Sequence, residues 1–130
     1  MSAASPDVAL SELGQIAFTV RDVAESTRFF RDVLRLPFVF AAGENLAFFQ
    51  AGTTRLMLTL PQGAGTVGQN SVLYFKVADI HAAHAAVVAR GARDERGPAL
   101  AAKMPDHELW LAFIRDPDGN LIGLMSEVRS

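Results

Sequence analysis

The residues of this chain best suited to chemistry are three histidines and a few polar side chains on strand-like segments. His81 and His84 stand three positions apart, a spacing that on a helix could bring two imidazoles together at the start of a metal site. Ile80, Ala83 and Val87 mark the buried side of that helix, however. This turns His81 toward solvent and leaves His84 at the margin, so the pair reads as surface. His107 lies between Asp106 and Glu108, where an imidazole titrating near neutrality could exchange a proton. An ordinary loop histidine accounts for it as well. Arg55 and Lys76, near strand ends, could hold an anionic group or reach past the sheet to water. Tyr74 combines a flat apolar ring with a hydroxyl, a frequent ligand contact. Trp110, the single tryptophan, shares strand parity with Ala112 and Ile114, and the three correspond to Asn45, Ala47 and Phe49 earlier in the chain; Phe49 and Trp110 could stack a planar ligand or belong to a core or dimer contact. No cysteine is present, which removes disulfides, thiolate metal sites and thiol nucleophiles together. No serine nucleophile stands beside a base, no paired carboxylates occur, and Gly63 to Gly68 lacks the Lys-Ser/Thr ending of a phosphate-cradling loop.

These side chains must be placed by one small domain. The chain has 130 residues, of which 50% are hydrophobic and 20% charged, ordinary proportions for a packed core. A formal charge of −2 and the lack of a Lys/Arg cluster argue against nucleic acid as a partner. No apolar run approaches the roughly 20 residues of a membrane span. The stretch Met1-Ser2-Ala3-Ala4-Ser5-Pro6-Asp7 has no basic region leading into an apolar one, so the expected location is the cytoplasm.

Residues 1–12 are small and polar and are expected to fray. Gln15 to Arg21 alternates as a half-buried strand. Asp22 follows as an N-cap, with Glu25 in capping-box position. Val23, Thr27, Phe30, Val33 and Leu34 form a helical stripe ending near Leu36-Pro37. Strands are expected at 38–41, 46–50 and 55–60, and a connector poor in pattern spans 61–70. The order then restarts: strand 72–77, a helix capped by Asp79 and running to about Arg90, and Gly91 at a left-handed C-cap. Residues 92–105 are weakly patterned, with one short strand near 99–102, before strands at 108–114 and 121–127.

The two halves match residue by residue. Phe18-Thr19-Val20-Arg21-Asp22-Val23 corresponds to Phe75-Lys76-Val77-Ala78-Asp79-Ile80, Leu46-Ala47-Phe48-Phe49 to Leu111-Ala112-Phe113-Ile114, and Leu56-Met57-Leu58 to Ile122-Gly123-Leu124. One copy alone could not bury both its helix and its sheet. The expected organisation is one domain over 1–130, with a first βαβββ module at 13–60, a linker at 61–70 and a second module at 71–127. Strand alternation divides the side chains into two faces. Ile16, Phe18, Val20, Leu56, Leu58, Leu73, Phe75, Ile122 and Leu124 form a uniformly apolar face that must meet the helices. Gln15, Ala17, Thr19, Arg55, Met57, Val72, Tyr74, Lys76, Gly123 and Met125 form a mixed face, read as the lining of a concave pocket.

The strand-Asp-helix segment Val20-Arg21-Asp22-Val23 through Phe29-Phe30-Arg31-Asp32-Val33-Leu34, the repeat, and the closing turn Asp116-Pro117-Asp118-Gly119-Asn120 together resemble the vicinal oxygen chelate superfamily, which includes glyoxalase I, extradiol dioxygenases and bleomycin-resistance proteins. The likeness covers about residues 13–127. Arg35 departs from it, standing where the family often has a C-cap glycine, and the turn itself is read as structural. The resemblance implies an α+β fold of two βαβββ modules forming a concave sheet with helices on its outer face. It also implies a metal held inside the bowl by His, Gln or Glu from the first and last strand of each module. Those four places here are Gln15, Met57, Val72 and Gly123. Only Gln15 keeps a family ligand type. A thioether suits hard, oxygen-preferring ions poorly, and valine and glycine offer no side-chain donor. No metal or cofactor is therefore expected, and neither the glyoxalase nor the dioxygenase chemistry has its parts.

What remains is a resemblance to the family members that sequester a small molecule, usually as homodimers. The expected function is metal-independent small-molecule binding, with ligand contacts from Gln15, Ala17, Phe49, Arg55, Met57, Val72, Tyr74, Trp110, Gly123 and Met125, and with no catalytic residue assigned. Two alternatives stay open. One is an enzyme of altered mechanism using Gln15 with His107 or Tyr74; the other is a lyase or dioxygenase of the same superfamily with ligands recruited elsewhere.

Overall fold

The computed structural model describes residues 8–63 and 65–129; residues 1–7, which include most of the segment expected to fray, lie outside them. The order of elements is β1 (Gln15–Thr19), α1 (Val23–Arg28), β2 (Phe38–Ala42), β3 (Leu46–Ala51), β4 (Thr54–Thr59), β5 (Leu73–Lys76), α2 (Ile80–Ala89), β6 (Arg93–Lys103), β7 (Glu108–Arg115) and β8 (Leu121–Val128). Two four-stranded sheets result, ordered β1-β4-β3-β2 and β5-β8-β7-β6. In each the first strand runs parallel to the last, because the helix carries the chain back across the sheet, and the other pairs are antiparallel. The α+β architecture is the one the repeat predicts.

Register repeats with the sequence. Ile16 and Phe18 pair with Leu56 and Leu58, and Leu73 and Phe75 with Ile122 and Leu124, so equivalent apolar residues point toward the helix in both halves. Phe18, Phe30, Phe49, Leu58, Ile114 and Ile122 are essentially without exposure and anchor one core that runs through both halves. Within it Phe30 meets Phe18 edge-on at 5.7 Å and tilts against Phe49 at 5.9 Å, arrangements favoured by the ring quadrupole.

Both helices start on aspartate. The Asp22 and Asp79 carboxylates accept from the backbone N–H groups of Glu25 and Ala82 at 3.0 Å, satisfying donors that have no partner within the helix. Glu25 turns to Arg21 at 2.6 Å, so its carboxylate makes a side-chain ion pair. The helices end differently. After Arg28 the first helix widens into a π turn over Phe29–Val33, with Leu34 N–H reaching the Phe29 carbonyl at 3.0 Å. Arg35 then takes a left-handed φ of 59°. The second helix closes on Gly91 at φ 115°, as its sequence predicts.

The structure corrects the expectation for residues 92–105. Within them Arg93–Lys103 form an 11-residue strand, β6, paired with β7 along its length. Register shifts between Asp94 and Arg96, Arg96 and Ala99, and Leu100 and Ala102 each reset the inward-outward alternation, which is why no period of two is visible in the sequence.

A polar clasp joins the halves. The Asn70 side chain accepts from Thr19 N–H at 2.9 Å and donates to the Thr19 carbonyl at 2.8 Å, as a neighbouring strand would. It also donates to Asn120 Oδ1 at 2.9 Å. Asn120 is held in turn by Asp116, whose carboxylate accepts from the Asn120 backbone N–H at 2.7 Å and side-chain amide at 2.9 Å. Asp118 Oδ2 accepts from Arg21 N–H at 2.9 Å. The Asp-Pro-Asp-Gly-Asn turn thus spends its side chains on structure. No helix of the described residues is long and apolar enough to cross a membrane.

Candidate functional site

The faces turned away from the helices carry the mixed residues. In the first half Gln15, Arg55 and Met57 form one hydrogen-bonded group. Arg55 Nε donates to Gln15 Oε1 at 2.8 Å, and Gln15 Nε2 points to the Met57 sulfur at 3.8 Å. The Arg55 guanidinium lies 5.4 Å from the centre of the Phe48 ring, which stacks on Phe40 at 4.8 Å and 23°. Phe48 takes this place because it pairs with Met57 across β3 and β4, while its neighbours Ala47 and Phe49 alternate into the core.

The second half repeats the register with different occupants. Tyr74 pairs with Gly123, and its ring lies directly over that residue; a Cβ added at Gly123 would sit 2.6 Å from Tyr74 Cδ2. The ring meets Phe113 edge-on at 5.8 Å, and the Arg96 guanidinium lies 5.0 Å from the centre of the Phe113 ring. Met125 pairs with Lys76 and Leu111. Val72, Tyr74 and Lys76 also line a cleft of about 630 Å³ between the halves, opposite Ile16, Leu36, Thr54 and Leu56. Ala17 borders a smaller cavity of about 230 Å³ with Asn70.

Two expected contacts are corrected. Phe49 has no exposed surface and packs among Phe30 and Phe38, so it belongs to the core beneath the helix. Trp110 shares its face, lying 5.7 Å from the His81 ring on α2, with its indole N–H on Glu108 at 3.2 Å. Strand parity had placed both residues correctly relative to Ala112 and Ile114; that whole parity class faces the helices. The open face is the other class, containing Phe48 and Phe113. These two aromatics, with Arg96, were missed. They are equivalents in the internal repeat and lie in register with Met57 and Gly123, a signal readable in the sequence once the faces are assigned.

The histidines sit apart from this group. His84 Nε2 is 2.9 Å from Asp94, and His107 Nδ1 is 2.8 Å from Asp106, which also takes Arg129 at 2.6 Å. The hydrogen bond from His107, followed by that from Arg129, holds the Asp106 carboxyl below its usual range. Lys103, Met104, His107 and Arg129 line a separate depression of about 360 Å³ beside the β6–β7 hairpin.

The residues at the four ligand positions of related metalloproteins do not fit a metal ion. Gln15 has the only side-chain oxygen among them, and it already accepts from a guanidinium whose charge opposes a cation at that point. Met57 offers sulfur, Val72 nothing, and at Gly123 the place where a longer side chain would begin is filled by the Tyr74 ring. Among the described residues no group of three His, Asp or Glu converges elsewhere.

The model of the Glyoxalase/Bleomycin resistance protein/Dioxygenase superfamily matches residues 12–124. Among solved structures, an integron cassette protein from the mobile metagenome of V. cholerae superposes with a TM-score of 0.76 at 24% identity, covering 92% of this chain and 97% of that one. A lactoylglutathione lyase from Agrobacterium tumefaciens gives 0.76 at 23%, covering 91% and 95%. TnmS3, an antibiotic binding protein from Streptomyces sp. CB03234, gives 0.76 at 21%, covering 92% and 98%. No curated protein matched the sequence. At such identities the structures speak for a shared fold, while the family match spans nearly the whole chain: this protein belongs to the glyoxalase/bleomycin resistance protein/dioxygenase superfamily.

Proposed function

We propose that this chain is a metal-independent small-molecule-binding protein of its superfamily, holding its ligand on the open faces of the two sheets. The observation that carries the reading is the capture of the Gln15 amide oxygen by Arg55, beside a thioether at Met57 and a glycine covered by Tyr74. The remaining lining, Ala17, Val72, Tyr74 and Met125 with Arg55, is mostly apolar with a few polar groups, the usual balance of a ligand site. The antibiotic-binding structure among its neighbours is consistent with such a role.

We further take the working unit to be a homodimer. β2 is an edge strand with all five residues exposed, among them Phe38, Val39 and Phe40 at 41%, 47% and 47%. Such an apolar edge invites a partner. Light scattering should return twice the chain mass, and Val39→Lys should lower it.

The deciding experiment is calorimetric titration of chelator-treated protein with Ni²⁺, Zn²⁺, Mn²⁺ and Fe²⁺. No tight stoichiometric uptake is expected. Uptake that disappears in Gln15→Ala would overturn the proposal. Turnover of a substrate that survives chelator but is lost in Gln15→Ala would replace sequestration with catalysis.

A further inference from the structure

The open faces carry a feature that the loss of metal ligands does not explain. In each half an aromatic ring on the third strand, Phe48 or its repeat equivalent Phe113, has an arginine guanidinium stacked over it, Arg55 at 5.4 Å and Arg96 at 5.0 Å. A second ring accompanies each: Phe40 parallel to Phe48 at 4.8 Å, and Tyr74 edge-on to Phe113 at 5.8 Å. The two arginines come from different strands, β4 and β6, so the pairing is not a simple copy of one repeat position.

The charges around these rings are one-sided. Arg21, Arg31, Arg115 and Arg129 each have a carboxylate partner. Among the described residues Arg55, Arg96 and Lys76 have none, like Arg28, Arg35, Arg90, Arg93 and Lys103 elsewhere in the chain: Arg55 bonds the Gln15 amide, Arg96 the Leu111 carbonyl at 3.3 Å, and Lys76 no carboxylate. Glu127, the acidic residue in β8, is engaged by Arg129 at 3.3 Å. On the faces that present these rings, three cations therefore stand without a carboxylate partner. Each guanidinium makes one hydrogen bond, to the Gln15 amide or the Leu111 carbonyl, and its other N–H groups can donate to a carboxylate or sulfonate. The rings next to it favour flat π surface over saturated carbon.

From this the geometry points to a planar aromatic anion as the ligand class. The inference rests on the sequestration reading and specifies its chemistry. Its test is calorimetry with three probes: naphthoate, its neutral counterpart naphthamide, and the saturated decalin carboxylate. Naphthoate should bind about tenfold or more tighter than naphthamide, the ratio that one charge-assisted hydrogen bond supplies. It should bind about fivefold tighter than the decalin carboxylate, which keeps the charge and lacks only the aromatic contact. Added salt should narrow the lead over naphthamide. Arg55→Gln with Arg96→Gln should erase the preference for the anion, and Phe48→Leu with Phe113→Leu the preference for the aromatic ring. Arg55 and Arg96 are exposed, so an unchanged thermal melt should accompany the first pair. Naphthamide binding as tightly as naphthoate would overturn the ligand class while leaving metal-free sequestration standing. A preference for naphthoate that persists in the double arginine variant, or no saturable binding of any probe, would overturn it as well. Cation-dependent binding of all three would instead sink the metal-free reading on which it stands.

Discussion

The open faces of the two halves share one backbone register, and they fill by opposite means the positions at which related metalloproteins carry ligands. In the first, Gln15 and Met57 keep side chains, but the amide oxygen is bonded to Arg55. In the second, Val72 and Gly123 have no donor, and Tyr74 occupies the space above the glycine. One site is occupied electrostatically and the other sterically. The comparison teaches that a duplicated fold does not tie its halves together chemically: each needs only an apolar layer toward its helix, and the other layer drifts independently. The hairpins differ too. The β7–β8 turn is closed by buried Asp116 and Asn120, whereas the β3–β4 turn has exposed bonds only, from the Gln50 side-chain amide to the Gly52 carbonyl at 2.8 Å and from the Thr54 hydroxyl to the Leu13 carbonyl at 3.0 Å.

The turns offer the largest expected effect. Asp116→Ala removes the acceptor for the Asp118 and Asn120 backbone N–H groups and the Asn120 amide, and should cost about 2–4 kcal/mol in denaturant unfolding. Thr54→Ala should cost less than about 1 kcal/mol. Equal losses would break the contrast between the turns. Next comes Gly123→Ala, whose methyl meets the Tyr74 ring and should destabilise by about 1–3 kcal/mol. Tyr74→Ala should relieve most of that, so the double variant should be more stable than the sum of the singles, a coupling that a double-mutant cycle measures. Met57→Ala, the matching change on the other face, should show no such coupling to position 17, its partner across β1.

The fold was legible because its two strongest signals are local: Asp22 and Asp79 cap their helices, and Ile16, Phe18, Leu56 and Leu58 recur at positions 73, 75, 122 and 124. The site was legible only in part. Alternation separated Gln15, Arg55 and Met57 from the core correctly, but on the middle strands it left the sign of the face open. Phe49 and Trp110 were placed toward the ligand when they face the helix. An aromatic ring suits either side, so composition cannot choose; the antiparallel register of β3 with β4, and of β7 with β8, does. The long strand β6 was hidden by its register shifts, and Arg96 with it. The contact between Tyr74 and Gly123 was beyond reach because it depends on which residues face each other across the parallel pair.

The helix ends give a smaller, signed test of independence between halves. Arg35 adopts φ 59°, a conformation that costs a residue with a Cβ about 1 kcal/mol, so Arg35→Gly should stabilise by up to about that amount. Gly91→Ala, at φ 115°, should destabilise by about 1–2 kcal/mol. Opposite shifts in melting temperature are expected, and shifts of the same sign would refute the comparison.

The smallest effect separates two carboxylates within the second half. Burial raises the Asp116 carboxyl above its usual range, against the bonds from Asn120, whereas His107 and Arg129 lower that of Asp106. A raised folded value means that the native state holds the proton more tightly than the unfolded chain. The Asp116 contribution is therefore greatest below the ordinary carboxylate range and is lost as pH rises through the folded value. A lowered value means the reverse: the Asp106 contribution is present above the ordinary range and is lost as pH falls through the folded value. Since Asp106 is exposed, its effect should be slight and should fade with salt. Melting curves from acidic to neutral pH should accordingly flatten a little on the acid side in Asp106→Asn. They should steepen there in Asp116→Asn, which removes the opposing slope. If both variants shifted the acid limb the same way, the two environments would not be the opposites that their neighbours imply.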